Sequence, residues 1–293
     1  MTVFKGSGVA VVTPFKDGKV DFDSYGPLID WLVEEGSDAI ISCGTTGEVS
    51  TLTQAEQMET IRFAVERVAG RVPLVAGAGN NETAVAVNNS ELARKAGADA
   101  LLVVTPYYNK ASRRGLIEHF TAVAGATDLP VILYSVASRT GVNISPDICA
   151  ELAEIPNIVG IKEASGSISQ VAEIARLTRG KGFDLWSGND DMVVPLMSLG
   201  GVGVISTVAN ILPKETHDMC AAWLAGDPVK ARDLQLWMKP LIDAVFMEVN
   251  PIPIKAALHL MGRIAYEYRL PLCPMEDGNL EKLKALMQAY RLI

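Results

Sequence analysis

Short apolar runs recur along the first two thirds of the chain, each followed by a longer stretch whose apolar positions return every three or four residues. The short runs predict strands at Gly8–Val12, Ala39–Ser42, Val72–Ala76, Ala100–Val104, Val131–Tyr134, Ile158–Lys162, Asp184–Ser187 and Gly203–Ser206. The periodic stretches predict helices near Ser24–Glu35, Thr53–Ala69, Thr83–Ala96, Arg113–Thr127, Ser145–Glu154, Ser167–Thr178 and Asp190–Leu199. Asp21, Thr53 and Ser145-Pro146 read as helix entries, and Gly36, Gly70 and Gly97 as left-handed caps past helix ends.

The strand runs are almost continuously apolar, so both faces of the sheet are expected to be covered, as in a parallel α/β sheet. Eight such units predict an α/β fold of the (β/α)8 TIM-barrel type. An open doubly wound sheet is the alternative, weakened because no Gly-x-Gly-x-x-Gly follows the first strand; Gly77-Ala78-Gly79 is too short a match. From about Pro213 the strand signal stops, and helices are expected at Pro213–Ala225, Pro228–Met247, Ile254–Tyr266 and Leu280–Tyr290. The first completes the barrel over residues 1–225, and 226–293 form a small helical appendage packed against it.

Composition narrows the function classes. The 293 residues carry a net charge of −8, with no basic stripe, which argues against nucleic acid as a partner. Cys43, Cys149, Cys220 and Cys273 are widely spaced, and His119, His217 and His259 lack metal-ligand spacing, so neither a disulfide framework nor a metal site is expected. Without a signal-like start or an 18-residue apolar run, the chain reads as cytoplasmic, with no membrane partner.

Barrel chemistry gathers at the carboxyl ends of the strands. One strand, Ile158–Lys162, ends on a lysine, a residue rarely buried unless paired or functional. Removal from water frees a neutral amine, the form a Schiff-base lysine needs. The plain alternative is a strand-end lysine reaching to solvent beside Glu163. The other strand ends carry Gly44-Thr45-Thr46-Gly47-Glu48, Thr105-Pro106-Tyr107-Tyr108-Asn109-Lys110, Tyr134 followed by Ser138-Arg139-Thr140-Gly141, Ser187-Gly188-Asn189-Asp190, and Ile205-Ser206. Hydroxyls, phenols, one Arg and one Lys on a single rim outweigh the solvent-reaching reading.

The roles follow from chemistry. A Lys162 amine that attacks a 2-oxo acid makes an imine, an electron sink that turns the adjacent methyl into an enamine nucleophile. Tyr134 is the candidate proton carrier, with Thr46 and Tyr108 able to complete a relay. The Gly44–Gly47 turn offers backbone N–H groups to one carboxylate, and Arg139 a bidentate fork to a second. Cys43, with no histidine on the rim, reads as a core filler.

At these residues, and at Gly160-Ile161-Lys162-Glu163-Ala164 and Asn250-Pro251-Ile252-Pro253-Ile254-Lys255, the chain resembles the dihydrodipicolinate synthase family of pyruvate-dependent class I aldolases. The resemblance implies condensation of pyruvate with aspartate-4-semialdehyde in lysine and diaminopimelate biosynthesis, with no metal or organic cofactor. It implies Lys162 as the Schiff-base residue and Tyr134, Thr46 and Tyr108 as the relay, Tyr108 reaching into a neighbouring subunit of a homotetramer. Thr45 and Thr46 would hold the pyruvate carboxylate and Arg139 the semialdehyde's, with Gly188 and the Ile205 backbone also against substrate.

Three departures stand out. Ser135-Val136-Ala137 replaces the family's Asn-Val-Pro, and Ala111 replaces a proline, which loosens two rim loops. At the family's lysine-inhibition positions the chain has Gln54, Gln57 and Val85 in place of His and Glu, while Asn81 and Tyr107 are retained. Weak or absent lysine inhibition is expected. A sister aldolase acting on sugar acids stays open because of Ser135 and Ala137, and a catalytically inert barrel with a binding role is the remaining reading.

Overall fold

The computed structural model describes residues 2–293. Parallel pairing of β1 (Gly6–Ala10), β2 (Ala39–Ser42), β3 (Leu74–Gly77), β4 (Ala100–Val104), β5 (Val131–Ser135), β6 (Ile158–Glu163), β7 (Asp184–Ser187) and β8 (Gly203–Ser206) runs in sequence order and returns from β8 to β1. The closed eight-stranded barrel is therefore the predicted α/β architecture, and the open sheet is excluded. Every strand is buried nearly throughout. The reason is two apolar layers. Ile41, Leu102, Ile132, Trp186 and Ile205 fill the inside, floored by Phe4 against Trp186, while the alternate residues pack outward under the helices.

The covering helices are α1 (Phe22–Glu34), α2 (Gln54–Val68), α3 (Thr83–Lys95), α4 (Arg113–Gly125), α5 (Pro146–Leu152), α6 (Ile168–Thr178), α7 (Val193–Met197) and α8 (Pro213–Leu224). Their starts follow local chemistry. Asp21 accepts from Ser24 N, Thr53 and Glu56 form a reciprocal capping box, and Pro146 opens α5. Gly36, Gly70 and Gly97 adopt positive φ after their helices, as expected.

Two strand positions shift. β1 begins at Gly6 rather than Gly8 and stops at Ala10, because the Val12 amide donates to the Asn210 side chain and not to a strand. β3 begins at Leu74 rather than Val72 because Pro73 has no N–H to give. The stretch expected as one helix over Asp190–Leu199 is a 3₁₀ turn, Asp190–Met192, followed by α7.

Beyond Gly226 come α9 (Pro228–Val245), α10 (Ile252–Leu260) and α11 (Asp277–Ala289). The helix expected over Ile254–Tyr266 starts two residues earlier and ends at Leu260, since Gly262 turns the chain at φ +72°. These helices lie against the barrel mouth, where Gln235 of α9 donates to the Asp190 carbonyl and Asn250 and Lys255 reach the loop after β2. Among the described residues no helix is long and apolar enough to cross a membrane.

Candidate active site

Strand register builds the centre of the mouth. Tyr134 on β5 is the Cα partner of Lys162 on β6, and Lys162 that of Trp186 on β7, so all three share one layer facing the barrel interior. Lys162 is 6% exposed, and its Nζ lies 4.4 Å from the centroid of the Tyr134 ring. The solvent-reaching reading of Lys162 is thereby excluded. Alternation sends the next residues, Ser135 and Glu163, to the outer face. There Glu163 accepts from Gln170 Nε2 at 2.8 Å, and burial still pushes its carboxyl above the ordinary range.

Gly188 leaves room for the lysine. A Cβ there would lie 3.2 Å from Lys162 Cε and 2.7 Å from the Ala164 Cβ. Ile205 is buried in the same interior, on β8.

The threonine loop after β2 is held in an uncommon conformation. Cys43 and Glu48, at its two ends, both have left-handed φ, +56° and +52°, which disfavours residues with a Cβ. Thr46 is buried, receives a hydrogen bond from Asn250 Nδ2 at 2.9 Å, and lies 3.4 Å from the Thr207 hydroxyl. Thr45 is half-buried and lines the adjoining cavity. Cys43 is buried, and desolvation pushes its thiol up to about 12, consistent with a packing residue.

Glu48 is anchored by Lys255, Nζ to Oε1 2.5 Å, with both side chains essentially inaccessible. Phe15 and Tyr268 present their ring faces to the same ammonium at 4.3 and 5.0 Å. Burial pushes Glu48 up and Lys255 down, and their mutual attraction opposes both shifts. Asp190, also buried, accepts from the Thr207 and Val208 amides at 3.1 and 3.0 Å. Its carboxyl is raised by desolvation; the Ser206 hydroxyl, those two amides and the Lys162 charge oppose the rise.

The opposite side of the mouth is open. A cavity of about 1120 Å³ is lined there by Thr45, Tyr107, Tyr108, Ser138 and Arg139, and extends to Gln54, Gln57 and Val85. Arg139 lies in a one-turn helix, Ala137–Thr140, and is exposed. Tyr108 is 85% exposed at φ +75°. The structure thus brings Lys162 and Tyr134 together and puts Thr46 in a buried polar contact set. Among the described residues no hydrogen bond joins Tyr134, Thr46 and Tyr108 to one another within the single chain.

Ser135 does not face the acceptor side. Its hydroxyl receives the Ile144 amide at 3.1 Å and lies 3.2 Å from Asn143 Oδ1, behind the sheet. Sequence pattern alone assigned no role to Asn250, Lys255, Asp190, Thr207 or Gln235. The Asn250–Lys255 motif signals two of them and the Ser187–Asp190 motif a third.

A buried lysine beside a tyrosine at the carboxyl end of a (β/α)8 barrel is an arrangement suited to the aldolase type of lyase. The chain matches the model of the dihydrodipicolinate synthetase family over residues 3–290 and belongs to that family. It is 57% identical over 294 residues to a 4-hydroxy-tetrahydrodipicolinate synthase of Thermoanaerobacter pseudethanolicus, covering 100% of this chain and 99% of the relative. A synthase of the same name from Clostridium novyi is 52% identical over 99% of this chain and 98% of its own. The solved dihydrodipicolinate synthase of Thermotoga maritima superposes with a TM-score of 0.98 at 42% identity, over 100% of each chain.

Proposed function

We infer that the protein is a lyase that condenses pyruvate with L-aspartate-4-semialdehyde to 4-hydroxy-tetrahydrodipicolinate, in lysine and diaminopimelate biosynthesis, through an imine on Lys162. The observation that carries the Lys162 assignment is the placement of its amine inside the barrel and against Tyr134. The amine attacks the pyruvate carbonyl carbon; loss of water from the carbinolamine gives the protonated imine. Loss of a methyl proton then gives the enamine, which attacks the aldehyde carbon; the acceptor's own amine then adds to the regenerated imine carbon, closing the ring and expelling the Lys162 amine. The imine is itself the electron sink, so the chemistry calls for no metal or organic cofactor.

Tyr134, whose ring faces the Lys162 amine, is the candidate to carry protons in these steps. Thr45 and Thr46 offer the turn that receives the pyruvate carboxylate, with Gly188 and Ile205 against the bound keto acid. Arg139, on the open side, meets the carboxylate of the semialdehyde, which favours this acceptor over a polyol. The outward-facing Ser135 removes one argument for a sugar-acid substrate. Tyr108 is exposed enough to complete the relay of a neighbouring copy, consistent with a homotetramer.

Borohydride reduction in the presence of pyruvate, followed by peptide mass mapping, tests the reading. The expected result is one permanent adduct, on Lys162. An unmodified protein, or an adduct confined to another lysine, overturns it.

A further inference from the structure

We propose that the Asn250–Lys255 segment is a positioning element for the pyruvate-binding loop, with Asn250 setting the Thr46 hydroxyl and Lys255 locking the loop through Glu48. The inference rests on the lysine-imine reading given above and assigns roles to residues that reading leaves unused.

Three independent observations carry it. First, the loop that offers Thr45 and Thr46 is bounded by Cys43 and Glu48 in left-handed backbone. Non-glycine residues persist there only where their surroundings over-determine the conformation. Second, the Glu48 end is tied to Lys255 by a buried ion pair spanning 207 positions of sequence. Replacing such a pair by apolar groups is often neutral or stabilising, so its presence is weak evidence of a stability role and suits a role in geometry. Third, Asn250 donates to Thr46 Oγ1 itself. A hydroxyl that accepts there keeps its own proton free to donate elsewhere, so Asn250 fixes the direction in which Thr46 can act.

The opposite flank of Thr46 is held in the same manner. Gln235 Nε2 donates to the Asp190 carbonyl at 2.8 Å, Asp190 holds the Thr207 amide, and the Thr207 hydroxyl faces Thr46. Thr46 therefore lies between two chains of contacts, one starting at Gln235 in α9 and the other at Asn250 in the segment before α10. Asn250 and Lys255 touch no reacting atom in this scheme; they act through Thr46 and Glu48.

The test compares Asn250→Ala, Lys255→Met and the double variant Glu48→Gln/Lys255→Met in the full chain. Each is scored by the KM for pyruvate, the KM for the semialdehyde, the melting temperature, and borohydride trapping against pyruvate concentration. Asn250→Ala removes one hydrogen bond and is expected to raise the pyruvate KM about fivefold while the semialdehyde KM holds. Lys255→Met leaves a buried carboxylate alone and is expected to raise the pyruvate KM by about tenfold or more, with a lower melting temperature.

The double variant discriminates. A positioning role predicts that the melting temperature recovers while the pyruvate KM stays high, because the left-handed Glu48 end has lost its anchor. Return of the pyruvate KM along with the melting temperature would show Lys255 to be structural only. Equal shifts in both KM values, or an unchanged pyruvate KM in Asn250→Ala, likewise overturn the proposal. Wild-type protein that fails to trap pyruvate would instead sink the imine reading itself, so the two failures are distinguishable.

Discussion

The two flanks of the barrel mouth are built in opposite ways. On the β2, β7 and β8 flank, Thr46, Thr207, Asp190 and the Glu48–Lys255 pair are all buried and tied to α9, α10 and the segment before α10. On the β3 to β5 flank, Tyr107, Tyr108 and Arg139 stand exposed around a cavity, with Arg139 on a single helical turn. The difference matches two demands. On the proposed mechanism, a small keto acid held as an imine gains from groups fixed in advance. A second substrate that must enter and leave gains from an open approach.

The sharpest break in this comparison is Lys162→Ala. It is expected to abolish the borohydride adduct and lower kcat/KM by about four orders of magnitude or more. Tyr134→Phe keeps the ring that faces Lys162 but loses the phenol. It should lower kcat by about a hundredfold, with imine formation slowed in stopped-flow measurements. On the open flank, Arg139→Ala should raise the semialdehyde KM by about ten- to fiftyfold while pyruvate trapping stays at the wild-type rate. A parallel loss of trapping in Arg139→Ala would dissolve the division between the flanks.

Much of this layout is legible in the sequence. Four strands, at Ala39, Ala100, Asp184 and Gly203, fall where the apolar runs predict, because strands buried on both faces leave an unbroken apolar signature. Lys162 and Tyr134 were legible because each ends such a run. On the pinned flank Thr46 and the Ser187–Asp190 and Asn250–Lys255 motifs were legible, but the contacts that tie them together were not. Asn250 and Thr46 are 204 positions apart, and neither belongs to a local periodicity. Register also answers part of what the departure from the family's Asn-Val-Pro left open. Ser135 follows Tyr134 immediately, so the two point to opposite faces and the substitution reaches Asn143 rather than the acceptor.

Two smaller effects sharpen the comparison further. Glu56, on the pinned flank, is held down to about 2 by Arg269 and by its capping contacts with Thr53. Its folded value lies below the unfolded one, so its stabilisation is present above the ordinary value of 4.5 and is lost as pH falls toward 2. The stability gap between wild type and Glu56→Gln should therefore shrink between pH 5 and pH 2.5, on the order of the surface-pair range. Urea melts at several pH values check this; a gap that does not change with pH refutes it.

The smallest expected effect is that of free lysine. Among the cavity's lining residues Arg139 is the one charged side chain, and Gln54 and Gln57 already donate to Asn89 and to the Gly77 carbonyl. Asn80 lines that space, while Asn81 lies on the exposed surface. With no carboxylate to receive an ammonium, submillimolar lysine should leave turnover essentially unchanged; half-inhibition in that range would show otherwise.

The 207-position reach from Glu48 to Lys255 also sets a timetable. A ribosome makes all eight strands, with Lys162 and Tyr134 among them, before it reaches Asn250 and Lys255. On the proposed mechanism the contacts that fix Thr46 and Glu48 form only after that point, so an unfinished polypeptide would carry the imine lysine without the means to aim it.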